Sequence, residues 1–222
     1  MEEIVTKFEQ MEKIENSGIV AIIRNDTNHD LIQVVDAIHS GGIDVVEITM
    51  TTPGALDTVG SVTKRYGSDL LIGVGSVLDT ETARMAILSG AEFIVSPITK
   101  PDVIELCNRY GKVVMPGAFT PTEILRAWEL GADYVKVFPA DIAGAPYIKA
   151  VKAPLPQISI IPTGGIGLNN AAEFVTSGSA ALGVGSTLVN KQTIAQKQFK
   201  KLTEISQKLV AAVKKAKETQ SQ

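Results

Sequence analysis

The sequence predicts an α/β fold, a (β/α)8 TIM barrel with an extra N-terminal helix and a long C-terminal helix. Three observations carry this. Eight short apolar runs recur along the chain, stretches of helical period separate them, and the runs are continuously apolar rather than alternating. Continuous runs suit strands covered on both faces, as in parallel sheets flanked by helices. Eight strand–helix units within about 200 residues fit a closed barrel. A doubly wound open sheet is the alternative on this pattern.

In chain order, 1–17 reads as a helix that plugs the barrel bottom. Strands are expected at 19–24, 45–49, 70–74, 93–96, 113–117, 134–138, 159–163 and 181–184. Between the first two, 28–40 carries Leu31, Val34, Val35 and Ile38 at helical spacing, and 80–89 and 121–130 behave alike. Gly41-Gly42, Gly90-Ala91 and Gly131-Ala132 put glycine where a helix C-cap needs it. Pro53, Pro101 and Pro121 fall at first helical turns, where a missing N–H costs nothing. The segment 191–217 reads as one helix with Phe199, Leu202, Ile205, Leu209 and Val213 on one face and a solvated lysine face opposite. No linker interrupts the chain, so 1–222 is expected to be one domain, with the barrel proper at about 18–190.

Composition narrows the function. A net charge of -3 with scattered basic residues argues against a nucleic-acid partner. The single cysteine, Cys107, lies in an apolar helical context, reads as a packing residue and fits a reducing, cytoplasmic compartment. The two histidines, His29 and His39, both fall in the 28–40 helix region and suggest no metal site. No apolar stretch reaches membrane-spanning length, and acidic Met1-Glu2-Glu3 is unlike a secretory signal.

Barrel active sites form where the strands end and the following loops begin. The polar residues there are Arg24 after strand one; Glu47, Thr49 and Thr51 on and after strand two; Ser76 after strand three; and Ser96-Pro97 after strand four. Strand six carries Lys136 and then Phe138. Strand seven ends in Thr163-Gly164-Gly165, and strand eight runs into Gly185-Ser186. An ammonium ion is costly inside a strand, and an amine without its proton attacks carbonyl carbon. Glu47 shares a strand face with Val45 and Thr49, and a carboxyl facing a barrel interior is positioned to shuttle protons. Together the two residues are parts for imine chemistry on a keto group. Read structurally, they are a buried ion pair, or Lys136 faces water on an edge strand. The glycines after the last two strands suit an anion held by backbone N–H groups at the usual barrel phosphate position; otherwise they serve tight turns.

Gly42-Ile43-Asp44-Val45-Val46-Glu47-Ile48-Thr49 and Gly131-x4-Lys136-Val137-Phe138-Pro139-Ala140-x3-Gly144 resemble the two signatures of the KDPG/KHG aldolases. These are class I aldolases acting on 2-keto-3-deoxy-6-phosphogluconate or 4-hydroxy-2-oxoglutarate. Leu71-Ile72-Gly73-Val74-Gly75-Ser76-Val77-Leu78, Ile94-Val95-Ser96-Pro97, Met115-Pro116-Gly117 and Pro162-Thr163-Gly164-Gly165 match the family in order, and the resemblance spans about 18–188. It implies that Lys136 forms the Schiff base and Glu47 is the general acid/base. It also implies that Thr163, Gly164, Gly165, Gly185 and Ser186 hold the distal hydroxyls and phosphate, and that Ser76 and Pro97 flank the pyruvyl portion. No metal or other cofactor and a homotrimeric assembly are further implications.

Two departures stand out. Many members place Leu-Arg where this chain has Met50-Thr51, and that arginine holds the pyruvate carboxylate. Arg24 is the candidate replacement, since a guanidinium grips a carboxylate with two prongs. Ser76 stands for the commoner threonine. The resemblance implies cleavage of a 2-keto-3-deoxy-6-phosphogluconate or -galactonate to pyruvate and glyceraldehyde 3-phosphate, with 4-hydroxy-2-oxoglutarate as a second substrate. An epimerase or isomerase that works without an imine and a non-catalytic phosphosugar-binding protein are the rival readings.

Overall fold

The structure, a computed structural model, describes residues 6–220. In chain order it runs α1 (Lys7–Ser17), β1 (Ile19–Ile23), α2 (Leu31–Ser40), β2 (Val45–Thr49), α3 (Ala55–Tyr66), β3 (Leu71–Gly75), α4 (Thr80–Leu88) and β4 (Phe93–Val95). It continues with α5 (Pro101–Arg109), β5 (Val113–Met115), β6 (Gly117–Ala118), α6 (Pro121–Glu129), β7 (Val135–Val137) and α7 (Ala140–Lys152). The last elements are β8 (Ile160–Pro162), α8 (Ala171–Thr176), β9 (Leu182–Val184), α9 (Lys191–Ala195) and α10 (Phe199–Gln220).

The strands form two parallel sheets, one in the order β5-β4-β3-β2-β1-β9 and a smaller one in the order β6-β7-β8. The expected fifth strand, 113–117, is split in two at Pro116, which has no N–H to give to a ladder. Backbone bonds still cross from β7 to that run: Lys136 N donates to Pro116 O at 2.9 Å and Asp133 N to Val114 O at 3.2 Å. At the other edge, Thr163 pairs with Gly183 as a parallel bridge. The expected third strand begins and ends one residue later, at Leu71 and Gly75.

Strand alternation sorts the side chains into two cores. Val46, Ile48, Val135 and Val137 pack under the helices. Val20, Val45, Leu71, Phe93, Val95, Val113, Met115, Tyr134 and Ile161 gather on the opposite face in a cluster of their own. Ile14 of α1 enters that second cluster fully buried, as a plug requires. Val113 N donates to Gln10 Oε1 at 3.2 Å, and the Tyr134 hydroxyl donates to Met11 O at 3.2 Å, so α1 covers the amino ends of the strands. A capping box between Thr6 and Glu9 starts this helix. Residues 1–5 of the expected helix lie outside the described residues.

Several boundaries differ from expectation. Helix α2 starts at Leu31, so His29 sits in the preceding loop rather than in a helix. Pro101 and Pro121 open α5 and α6 as expected, whereas Pro53 lies in the turn ahead of the α3 cap at Gly54. Gly42, Gly90 and Gly131 do take left-handed conformations after their helices. The single C-terminal helix is broken: α9 stops after Ala195, Lys197 turns left-handed (φ 53°), and α10 sets off in a new helix. Docking fixes the second segment, because Leu202, Leu209 and Val213 are buried and Thr203 Oγ1 donates to Ala37 O of α2 at 2.9 Å. Among the described residues, no helix is long and apolar enough to cross a membrane.

Candidate active site

Glu47 and Lys136 meet inside the second core. Each flanks itself with valine or isoleucine turned toward the helices, so each points the other way. Glu47 is 2% exposed and Lys136 7%. Both line one small cavity together with Val95, Met115 and Thr163. Lys136 Nζ lies 5.2 Å from the centre of the Phe138 ring, an attraction for a cation and a hydrophobic wall for an amine. Among the described residues, Glu47 Oε1 has no hydrogen-bond partner. Burial pushes the Glu47 carboxyl above its ordinary range, while the nearby Lys136 and then Arg24 pull it back. The result is an acid whose proton is held more tightly than a surface glutamate's.

Space for that carboxyl comes from a neighbour. In β3, a Cβ built on Gly75 would stand 1.7 Å from Glu47 Oε1, far inside contact distance. Any side chain at 75 must therefore expel the glutamate from its place. Gly75→Ala is expected to cut kcat by about 100-fold or more, as displaced catalytic groups do, with the fold retained by circular dichroism. A kcat within twofold of the parent would show that the orientation of Glu47 is not set here.

At the mouth, Arg24 directly follows β1 and is exposed, and its Nη2 donates to Ser76 Oγ at 3.4 Å. Ser76 holds a left-handed backbone, φ 61°, which turns the chain sharply after β3. Thr49 and Thr51, both expected at the site, are turned to each other, with Oγ1 atoms 2.9 Å apart. Thr49 also meets Thr52 at 3.3 Å, and Asn25 N donates to Thr52 Oγ1 at 3.2 Å. Thr52 and Asn25 were not singled out from the sequence, yet they tie the Arg24 loop to the end of β2. Pro97 is half-buried, and its carbonyl lies where a Cβ on Gly117 would come within 2.2 Å.

The distal side is built from the loops after β8 and β9. Thr163 is 7% exposed and faces the cavity. Gly164 and Gly165 both have positive φ, 113° and 63°. Asn170 Nδ2 donates to Gly165 O at 3.1 Å and braces the loop. Ser186 is exposed after half-buried Gly185, and the Thr187 hydroxyl donates to Ile166 O, joining the two loops. Phe138, 40% exposed, forms part of the rim. Thr187 and Gly75 were missed by the sequence reading because their parts depend on contacts between distant segments. Cys107 is fully buried, and burial pushes its thiol up to about 12, which fits packing rather than nucleophilic duty.

Comparisons with known proteins point to one family. Residues 11–205 match the family described as KDPG and KHG aldolase. A 2-dehydro-3-deoxy-phosphogluconate aldolase of Treponema pallidum is 34% identical over 211 residues, which cover 95% of this chain and 99% of the relative. A 2-dehydro-3-deoxy-6-phosphogalactonate aldolase of Escherichia coli is 36% identical over 171 residues, covering 77% and 83% respectively. A solved structure of a KDPG aldolase from Legionella pneumophila, with pyruvate captured at low pH as a covalent carbinolamine intermediate, gives a TM-score of 0.83 at 26% identity. It covers 90% of this chain and 97% of that one.

Proposed function

Since this chain belongs to the KDPG and KHG aldolase family, and is by that membership a carbon–carbon lyase, we propose that Lys136 and Glu47 perform its chemistry on a 2-keto-3-deoxy-6-phospho sugar acid. Membership sets aside the epimerase, isomerase and simple binding readings. One observation carries the assignment: a buried amine and a buried carboxyl with an unpartnered oxygen share one cavity.

The Lys136 amine adds to the C2 carbonyl, and the carbinolamine loses water to give an iminium ion. Glu47 moves the protons of these steps. As the C3–C4 bond breaks, its electron pair flows into the iminium, and Glu47 takes the proton of the C4 hydroxyl. Glyceraldehyde 3-phosphate leaves and an enamine remains. Glu47 returns a proton to C3, and water releases pyruvate and restores the amine. No step needs a metal ion. The raised proton affinity of Glu47 suits it to give a proton as well as to take one.

Arg24 and Ser76 hold the pyruvate carboxylate in this reading, in place of the arginine absent at position 51. Arg24→Ala should raise KM for pyruvate in the condensation direction about 10- to 100-fold, the worth of a charge-assisted bond, with a much smaller change in kcat. Unchanged kinetics would remove the assignment. Thr163, Gly164, Gly165, Gly185 and Ser186 receive the distal hydroxyls and phosphate through hydroxyl and backbone N–H groups. Pro97 and Phe138 wall the pyruvyl side.

We also read the two sheets as one eight-stranded (β/α)8 barrel in a single domain, supported by the backbone bonds at both sheet edges. A homotrimer working in the cytoplasm completes the reading. The test of function is hydride trapping. Borohydride added with pyruvate should attach a permanent adduct to Lys136, seen by intact mass and mapped by peptide digestion. An adduct on another lysine, or none, overturns the assignment.

A further inference from the structure

We propose that Asp141 is a specificity-determining residue of the distal pocket: lying across the Gly164–Gly165 loop, its carboxylate reduces the advantage of a terminal phosphate and helps admit 2-keto-3-deoxy sugar acids that end in a hydroxyl. This rests on the reading that the same loop holds the end of the substrate remote from the keto group.

Asp141 follows Lys136 by five residues and stands in the first turn of α7. Ala140 N donates to Thr163 O at 2.8 Å, which fastens that turn to the end of β8. A Cβ on Gly165 would stand 2.6 Å from Asp141 Cβ, and one on Gly164 would stand 3.3 Å from Asp141 Oδ1. The absence of side chains on both glycines is thus what lets the carboxylate rest on the loop. The side chain is exposed toward solvent, and no ion pair among the described residues engages it.

Neither loop supplies a compensating cation. The segments 163–170 and 185–190 contain no lysine or arginine. The next basic residue, Lys191, is paired with Asp26 at 2.6 Å. A phosphate dianion held by the peptide N–H groups of Gly164 and Gly165 would share the loop with a fixed negative charge. A terminal hydroxyl instead donates to the carboxylate in a charge-assisted bond. The pocket therefore takes both classes, with the phosphate's advantage reduced by Asp141.

The experiment compares kcat/KM for cleavage of a 2-keto-3-deoxy-6-phospho acid and of its unphosphorylated counterpart, in the parent and in Asp141→Asn. The variant should raise the phosphorylated-to-unphosphorylated ratio about tenfold, the scale of one unit charge facing a dianion in a solvated pocket. Both substrates are measured on one preparation, so the ratio does not depend on the folded fraction. An unchanged ratio, or one that falls, overturns the proposal. Gly165→Ala separates the two layers of argument. If it raises KM for both substrates while Asp141→Asn leaves the ratio alone, only the role of Asp141 is lost. If it leaves both KM values unchanged, the loop is not the distal site, and both readings fall.

Discussion

Lys136→Ala is expected to lose at least ~10⁴-fold in aldol turnover, since the covalent route disappears with the amine. Pyruvate plus borohydride should then add no mass. The fold should survive, because the side chain's tertiary role is modest: its neighbours Val135 and Val137, not Lys136 itself, pack under the helices. Burial already raises the proton affinity of Glu47, so that carboxyl can take up a proton once the amine is gone and leave no unpaired buried charge. Lys136→Met is the sharper companion, for it keeps an unbranched apolar stem beside Phe138 while deleting the nucleophile. It should be at least as heat-stable as the parent and equally inactive. Residual turnover within a factor of ten of the parent would mean that another amine forms the imine.

Glu47→Gln separates activity from stability in opposite directions. Turnover should fall by about 10²–10⁴, the usual worth of a positioned acid/base. Stability should move the other way as pH rises. Burial raises the folded-state proton affinity of Glu47 above its ordinary value of 4.5. The unfolded chain then gives up that proton first, and the parent loses stability as pH climbs from 4.5 through the folded-state value. Glutamine does not titrate, so it escapes this loss. The melting temperature of the variant minus that of the parent should therefore grow more positive between pH 4.5 and the point where the buried carboxyl ionises, and then level off. A difference that is flat with pH would mean that Glu47 titrates like a surface carboxyl. The same burial that costs stability once the carboxyl ionises also holds its proton more tightly than a surface glutamate would.

The element order was legible because strand and helix periods are local properties, and most predicted strands lie within a residue or two of those observed. Lys136 and Glu47 were legible for a related reason: a charge embedded in a valine-rich run declares its own anomaly. The exceptions share a cause. No glycine or proline marks the break at Lys197; it follows from where α10 docks on α2. Pro116 did carry a signal, a missing donor within a strand, and the split there could have been foreseen. The vacancy at Gly75 depends on which residue of β2 lies beside it, Thr49 being its register partner and Glu47 reaching over from two residues earlier. Thr49 and Thr51 had the right chemistry for the site, but which way their hydroxyls turn is settled by each other and by Thr52.

The opening helix has a consequence for the order in which the protein can be made. Several of its partners come late in the chain: Gln10 waits for Val113, Met11 and Glu15 for Tyr134, and the Glu15 carbonyl for Lys217. On the ribosome, α1 thus emerges well before the residues that complete its seat. Until Val113, Met115 and Tyr134 have been synthesised, the socket of Ile14 is incomplete, with only Val20, Val45, Leu71, Phe93 and Val95 of its walls in place.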